Sequence, residues 1–260
     1  MTVSPGIAGA ERTEHEPGAQ AWGTGRLGWG GRASFSGAML VVAWPRSAVE
    51  RLLPEPLALC PQLPEQRPGT HPLLFTLGEL SSGGGHLAGF DLSFGVRYRE
   101  LSILAPFVAH PASPEPVAFA CTMYADDPNA VLLGNAVYGY RKQLADIHWA
   151  YSGFRVARRG WLLFECTASV HGSWARDIGS VRRAAEPVAR LTRLPVLGQR
   201  SDGVFVTSQF RMEFSGAEMR PMKGQVLWRR GDSTRSREGL GLAARGLVWR
   251  TGRPQVLAAA

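Results

Sequence analysis

Lysine is scarce in this chain. Only Lys142 and Lys223 occur, and arginine supplies the rest of the 29 basic residues. Arginine stays protonated at ordinary pH, whereas a partly buried lysine can lose its proton and act as a nucleophile. A lysine kept where nearly every other cation is arginine indicates a position that requires lysine. Lys142 is the candidate, because it lies among aromatic and small residues in the segment Gly139-Tyr140-Arg141-Lys142-Gln143-Leu144-Ala145.

Several motifs are also missing, and each absence argues against a class of function. The three cysteines, Cys60, Cys121 and Cys166, include no Cys-x-x-Cys pair, which argues against a disulfide framework and a structural zinc site. The six histidines show no His-Glu-x-x-His spacing, so we expect no metal and no other cofactor. No Gly-x-Ser-x-Gly motif is present, so serine hydrolase chemistry has no support.

The charge and hydropathy patterns limit the partners. No apolar run reaches about 18 residues, and residues 1–20 carry no basic-then-apolar signal, so we expect a cytoplasmic protein without a membrane partner. The net charge is +8, but the arginines are spread along the chain and no nucleic-acid-binding motif is present. A solvated surface, or attraction of anionic small substrates, explains this charge better than binding to nucleic acid.

The apolar pattern predicts a chain rich in strands with a few helices. Residues 1–30 are predicted to form a flexible lead and residues 31–260 a single domain. Within the lead, residues 23–28 match Gly-x-Gly-x-x-Gly, but no strand precedes them and no helix follows, so we interpret the match as chance. Strands are predicted over residues 38–43, 57–60, 73–80, 90–104, 117–124, 147–151, 154–157, 161–171, 204–214, 225–229 and 240–249.

Helices and turns are predicted from their end signals. Asp127 and Pro128 begin one helix, residues 181–193 form another, and residues 45–53 form a third with a capping box of Ser47 and Glu50. Other segments are predicted to be irregular: residues 81–85 as a flexible turn, residues 158–160 as a hairpin turn, and residues 231–239 as a loose polar stretch.

Three segments, in order, carry a resemblance to a known family. They are Leu52-Leu53-Pro54-Glu55-Pro56-Leu57, Tyr98-Arg99-Glu100, and the stretch from Gly134 to Leu144 that contains Lys142. In these segments the chain resembles the acetoacetate decarboxylase-like superfamily, and the resemblance covers about residues 33–230. It implies an α+β fold in which a large, mostly antiparallel β-sheet or β-cone surrounds a pocket, with a few helices. It also implies a homo-oligomer.

The resemblance implies site residues as well. Lys142 falls on the Schiff-base lysine and Glu100 on an active-site carboxylate, so these two are the expected catalytic residues. Glu100 would serve as a proton shuttle or substrate positioner. Expected substrate-binding residues are Tyr98, Tyr138, Tyr140, Arg141, Gln143, Thr76, Phe35 and Phe94.

This sequence departs from the family pattern at several of those positions. Gln143 replaces a second lysine, and Arg141 replaces a proline. A second active-site glutamate falls near Thr76, and an N-terminal arginine falls near Phe35, with Arg32 close enough to replace it if the register slips. These departures favour a divergent member with another substrate or another reaction.

A Schiff-base lysine must be unprotonated when it attacks a ketone, so its pKa must fall. Because the second lysine is absent, we predict that desolvation lowers the pKa of Lys142, with Tyr138, Tyr140, Phe94 and Phe107 as the apolar surroundings.

The same residues have plainer interpretations. A lysine near a helix end is often solvated, Glu100 could pair with Arg97 or Arg99 at the surface, and the tyrosines could be core. Three hypotheses follow: a Schiff-base lyase that acts on a small keto acid or related carbonyl compound, the same lysine used for aldol, dehydration or cyclisation chemistry on a secondary metabolite, and a pocket that binds a ligand without covalent chemistry.

Overall fold

Long antiparallel strands dominate the fold. The computed structural model describes residues 30–61, 67–87, 90–150, 153–230 and 233–257. The strands are β1 (Gly30–Pro45), β2 (Ala58–Leu59), β3 (Thr70–Leu87), β4 (Phe90–Ala109), β5 (Val117–Ala125), β6 (Lys142–Leu144), β7 (Asp146–Ala150), β8 (Gly153–Arg158), β9 (Trp161–Val170), β10 (Val196–Gln199), β11 (Phe205–Ser208), β12 (Phe210–Glu213), β13 (Glu218–Arg230), β14 (Ser233–Thr251) and β15 (Gln255–Val256). The helices are α1 (Arg46–Glu50), α2 (Pro128–Tyr138) and α3 (Arg182–Leu191), and a 3₁₀ helix (Ile178–Val181) precedes α3.

These strands form one sheet in the order β15-β11-β10-β5-β4-β3-β1-β14-β13-β9-β8-β7. Three short strands lie off this path: β12 pairs with β14, β2 with β4, and β6 with β5. Among the described pairs, only β10 with β5 and β5 with β6 are parallel. The predicted fold class, a large and mostly antiparallel sheet with few helices, is therefore confirmed.

Both faces of the central strands are covered, which explains their continuous apolar sequences. Successive side chains of β3 point to opposite faces. Leu73, Phe75 and Leu77 belong to one buried cluster, which also contains Trp44, Phe164 and Trp228. Leu74 belongs to a second buried cluster on the other face, where α3 contributes Ala185, Val188 and Leu191. The second face carries the candidate active site.

Two predicted irregular segments are strands instead. The glycine-rich residues 81–85 continue β3, because backbone pairing with β1 and β4 needs no side chains; Gly84, for example, faces Arg32. Most of the polar segment 231–239 belongs to β14, whose Ser233 pairs with Arg230 of β13. Residues 231 and 232 lie outside the described part of the chain. In both cases the polar or glycine-rich composition predicted an irregular segment where the backbone forms a paired strand.

The helix predicted over residues 45–53 is present as α1, but it is shorter and begins differently. Pro45 occupies the N-cap position and makes no side-chain cap, so Ser47 lies inside α1 and the predicted capping box is wrong. Glu50 instead accepts a hydrogen bond from Arg46 at 3.0 Å, one helical turn away. Asp127 and Pro128 begin α2 as predicted, and the Asp127 carboxylate caps the helix by accepting a hydrogen bond from the backbone N–H of Ala130 at 2.7 Å.

Residues 1–29 of the predicted lead, with the glycine motif at residues 23–28, lie outside the described part, and Gly30 is the first residue of β1. In the part that is described, no helix is both long and apolar enough to cross a membrane.

Candidate active site

Lys142 is the first residue of β6 and does not lie in the helix that precedes it. Helix α2 ends at Gly139, whose left-handed φ of 66° turns the chain, and Arg141 adopts a φ of 51°. The chain then pairs with β5, so that Lys142 lies beside Met123. This turn carries the lysine side chain back under α2, where Gly134 leaves room for it.

Asn135 fixes the backbone of Lys142. Its side-chain oxygen accepts the Lys142 N–H, and its amide nitrogen donates to the Lys142 carbonyl at 3.0 Å. The Asn135 side chain alone therefore satisfies both the backbone N–H and the backbone carbonyl of Lys142. Sequence reasoning did not assign this role, although an asparagine seven residues before the lysine was the available signal.

Glu100 reaches the lysine from β4. The Lys142 ammonium donates a hydrogen bond to Glu100 Oε2, and the hydroxyl of Ser102 donates to Glu100 Oε1 at 2.6 Å. The pair is deeply buried, with Lys142 9% and Glu100 3% exposed. Ser102 was missed by sequence reasoning, yet its position two residues after Glu100 places it on the same strand face.

Three tyrosines surround this ion pair. The Lys142 nitrogen lies 5.4 Å from the ring centroid of Tyr98. Tyr138 and Tyr140 stack with centroids 5.2 Å apart and planes within 12° of parallel. Tyr140 and Ser208 share a hydrogen bond at 2.9 Å, and Tyr138 and Thr251 share one at 3.2 Å.

Electrostatics hold the free lysine protonated. Burial is the strongest influence on the pKa of Lys142 and lowers it, but the Glu100 carboxylate and the Tyr98 hydroxyl together outweigh burial. The pKa of Lys142 is therefore raised above its ordinary value, so the predicted lowering is wrong for the free protein. Burial raises the pKa of Tyr98 to about 12 despite the neighbouring ammonium, and burial also raises the pKa of Tyr140, so both phenols are neutral at physiological pH.

The ion pair lies in the wall of a cavity of about 210 Å³. Apolar side chains of β3, β4, β5, α2, α3, β10, β12 and β14 form most of the lining, which includes Leu74, Leu104, Met123, Leu133, Val196 and Trp249. Because Asn129, Leu133 and Arg32 line the cavity and are also exposed, it reaches the protein surface near them. Apart from Lys142, Arg32 is the cationic residue among the described lining residues.

The structure brings together six of the predicted site residues. Lys142, Glu100, Tyr98, Tyr138, Tyr140 and Thr76 all line this cavity.

Three other predicted site residues lie elsewhere. Arg141 is exposed and donates to the carbonyl and side-chain oxygens of Gln199, and Gln143 accepts a hydrogen bond from Arg158 at 2.6 Å. Alternation along β6 points Gln143 away from the face that Lys142 occupies. Phe35 is fully buried in the core, where its ring fills the space beside Gly37 and Gly78.

Phe94 and Phe107 are the other two aromatic residues expected around Lys142. The side chain of Phe94 lies outside the described part. Phe107 is not among the lining residues of the cavity, and its ring instead stacks under Arg190 at 5.6 Å. In the described part, no group of three or more histidine, cysteine, aspartate or glutamate residues is placed to hold a metal ion.

Replacing Gly134 with alanine is expected to displace Lys142. A Cβ at Gly134 would lie 2.7 Å from Lys142 Cδ and 2.8 Å from Cε, so the lysine stem must move. A displacement of about 1 Å at a reacting group lowers rates by about 100-fold. We expect a loss of that size in any reaction that uses the Lys142 amine, and the higher helix propensity of alanine, about 1 kcal/mol, offsets part of the packing cost in the free energy of unfolding. Ala136→Gly, on the exposed face of α2, is the control, and an unchanged rate in Gly134→Ala would contradict the geometry.

Sequence comparison identifies the family. A sequence model described as acetoacetate decarboxylase (ADC) matches residues 22–232. The chain belongs to the acetoacetate decarboxylase family. No curated protein sequence matches it.

Solved structures share the acetoacetate decarboxylase fold at low identity. An acetoacetate decarboxylase-like enzyme from Sphingomonas wittichii RW1 is 14% identical, with a TM-score of 0.60 over 90% of this chain and 94% of that one. Acetoacetate decarboxylase from Legionella pneumophila is 14% identical, with a TM-score of 0.56 over 87% of each chain. The enduracididine biosynthesis enzyme MppR, complexed with the condensation product of pyruvate and imidazole 4-carboxaldehyde, is 16% identical, with a TM-score of 0.54 over 98% of this chain and 99% of that one.

Proposed function

We propose that this protein is a Schiff-base-forming lyase in which Lys142 condenses with the carbonyl carbon of a small keto acid or related carbonyl compound. One observation carries the proposal: the Lys142 nitrogen is buried in the wall of an apolar cavity and is hydrogen-bonded to a buried carboxylate. A solvated structural lysine has no need of that environment, because exposed lysines are stabilised by water.

The ion pair can supply the nucleophile without a lowered pKa. A carbonyl compound that enters an apolar cavity displaces water and weakens the solvation of both charges. Proton transfer from Lys142 to Glu100 then produces a neutral amine and a carboxylic acid, and the amine attacks the carbonyl carbon. Glu100 returns the proton as the hydroxyl of the carbinolamine leaves as water. The product is a protonated imine, which carries the positive charge that the ammonium carried, beside the same carboxylate.

The protonated imine is an electron sink. In a keto acid whose carboxylate lies one carbon from the imine, the C–C bond to the carboxylate breaks, carbon dioxide leaves and the electron pair forms an enamine. Protonation of that carbon and hydrolysis of the imine release the ketone and restore Lys142. Arg32 is the candidate to attract a substrate carboxylate at the cavity opening, since it lines the cavity and is exposed.

A second reaction class uses the same imine. Aldol, dehydration or cyclisation chemistry on a secondary metabolite is supported by the departures from the family pattern: Gln143 is directed away from the cavity, and Thr76 stands where a carboxylate was expected. The relative MppR, which is complexed with a condensation product of pyruvate and an aldehyde, also favours this alternative.

Borohydride trapping tests the proposal. The protein is reduced in the presence of a panel of keto acids and aldehydes, and the modified peptide is mapped by mass spectrometry. Only Lys142, Lys223 and the N-terminal amine can form an adduct, so the assignment is direct. An adduct on Lys142 is expected. No adduct with any carbonyl compound would favour the third hypothesis, a pocket that binds its ligand without covalent chemistry. Release of carbon dioxide from the same keto acids in the absence of borohydride separates decarboxylation from the alternative reactions.

Trp249 is expected to orient the substrate. Its indole N–H is buried without a hydrogen-bond partner, and the residue lines the cavity with its ring packed on Phe210 at 4.4 Å. A buried unsatisfied donor is costly, so a substrate oxygen is a suitable acceptor. We expect Trp249→Phe to raise the half-saturating concentration roughly tenfold for carbonyl compounds that carry a second acceptor. Compounds without that acceptor should be unaffected, and equal effects on both would contradict this role. Trp161→Phe, at an exposed site, is the control.

The homo-oligomer and the cytoplasmic location expected from the sequence stay predictions. Size-exclusion chromatography with light scattering tests the first, and fractionation of the source cells tests the second.

A further inference from the structure

A second cavity lies on the opposite face of the central strands and belongs to no step of the proposed chemistry. Its volume is about 200 Å³, close to that of the first. Thr76 lines the first cavity and Leu77, the next residue of β3, lines the second, so the sheet separates the two. Its walls are mainly apolar and include Phe154, Met222 and the half-exposed Trp149.

Two arginines are concentrated at one place in this wall. The guanidinium carbons of Arg220 and Arg245 lie 5.4 Å and 4.1 Å from the ring centroid of Trp174. Arg220 pairs in register with Ala243, so Arg245 is its diagonal neighbour on the same face. Two like charges on one aromatic ring repel each other, and the ring compensates only part of that cost.

Among the described residues, no ion pair joins either arginine to an acidic group. Glu218 lies directly across the strand pair from Arg245, but its carboxylate is bound by Arg176 at 3.2 Å. No acidic residue lines the described part of the cavity. Cys166 lines it, but burial raises the pKa of its thiol to about 12, so it contributes no negative charge at physiological pH.

The arrangement is held in place by the backbone. Ala175, next to Trp174, forms two hydrogen bonds with Met219, at 2.9 Å and 2.7 Å, and this bridge fixes the tryptophan against β13. The Nε atom of Arg220 is buried there with no hydrogen-bond partner. A buried guanidinium N–H without an acceptor is costly, and an anion that accepts it forms a short, charge-assisted hydrogen bond.

We infer that this second cavity binds an anionic small molecule with an apolar, preferably aromatic, body. Its carboxylate, sulfonate or phosphate group accepts hydrogen bonds from Arg220 and Arg245, and its body packs against Trp149, Phe154 and Met222. The inference does not depend on Schiff-base chemistry at Lys142, because it uses a different face of the sheet.

Equilibrium binding of naphthalene sulfonate to the full chain tests this inference, with naphthalene methanol as the uncharged comparison. We expect the sulfonate to bind at least about tenfold more tightly than the alcohol. This comparison needs no variant, so a folding defect cannot obscure it. Equal affinity for the two compounds, or no binding of either, would overturn the inference.

Variants then locate the site. Arg220→Gln and Arg245→Gln should each weaken sulfonate binding by at least about tenfold. Arg229→Gln, an exposed position of the same strand β13, removes the same charge and should have little effect. Lys142→Met, in the first cavity, should also leave the affinity unchanged. Loss of binding in Lys142→Met, or unchanged binding in both cavity variants, would show that the sulfonate occupies another site.

Discussion

Replacing Lys142 with arginine is expected to remove the trapped adduct entirely and to lower turnover by at least about 10,000-fold. Arginine retains the positive charge and can pair with Glu100, so the fold and the ion pair should survive. It cannot form an imine, because the guanidinium does not lose its proton at accessible pH. The loss would therefore report the covalent step itself and not a collapsed site.

The chain supplies a matched control for this experiment. Lys223 is the second lysine, and it lies exposed on β13. Lys223→Arg should trap the same carbonyl compounds at the wild-type rate, with the adduct on Lys142. Thermal unfolding of both variants establishes that they are folded. An adduct that persists in Lys142→Arg, or turnover that does not change, would contradict a Schiff base at this residue.

Replacing Glu100 with glutamine is expected to lower turnover by about 100- to 10,000-fold, because the proton acceptor and donor for Lys142 is lost. It should also reverse the direction of the lysine pKa shift. Burial lowers the pKa of Lys142, and in the wild-type protein the carboxylate of Glu100 and the Tyr98 hydroxyl outweigh that effect. Without the carboxylate, burial dominates, so the pKa of Lys142 should fall below its ordinary value of 10.5.

The pH dependence of the free energy of unfolding should change sign when the pKa shift of Lys142 changes direction. In the wild-type protein the folded-state pKa of Lys142 is raised, so the stabilising contribution is complete below pH 10.5 and is lost as pH rises through the folded-state pKa. In Glu100→Gln the folded-state pKa is lowered. The unfolded chain then binds more protons between the lowered pKa and the ordinary one, so the free energy of unfolding should rise with pH in that window.

Two measurements check the Glu100 prediction. Competitive chemical labelling of Lys142 against pH, followed by mass mapping, reports its pKa directly. Urea unfolding at several pH values reports how the free energy of unfolding changes with pH. Glu79→Gln is the control, since Glu79 pairs at 2.8 Å with the exposed Arg97 and a surface pair of this kind contributes at most about 1 kcal/mol. A Lys142 pKa that is unchanged or higher in Glu100→Gln would contradict the electrostatic account.

Local sequence identified both members of the ion pair, Lys142 and Glu100, from different kinds of signal. Lys142 was recognisable because it is one of two lysines and lies in a segment that resembles the family. Glu100 was recognisable because it is the last residue of a Tyr-x-Glu motif within a predicted strand. Period-two alternation along β4 also places Tyr98, Glu100 and Ser102 on one face, which the cavity lining bears out. The same alternation in β6 directs Gln143 away from Lys142, but the sequence signals at Asp127 and Pro128 mark only where α2 begins and not where it ends.

The misplaced residues share one cause, which is that register and chain direction are long-range properties. The left-handed turn at Gly139 and Arg141 converts a helix end into a strand, and this sends Arg141 to Gln199 instead of the cavity. Phe35 is matched to the family by sequence distance, yet β1 places it in the core and brings Arg32 to the cavity. A shift of one residue in a strand exchanges the two faces of a sheet.

The sequence by itself determined the family, the predominance of strands, the capped helix α2 and the identity of the lysine and carboxylate. Those features depend on residue type and short-range spacing, which a single chain displays. Only the tertiary structure decided that Lys142 and Glu100 are in contact, that the carboxylate keeps the free lysine protonated, and that Trp249 and the pair Arg220 and Arg245 serve separate cavities. These depend on contacts between residues about forty to seventy positions apart, and their energies are set by burial, which no local pattern records.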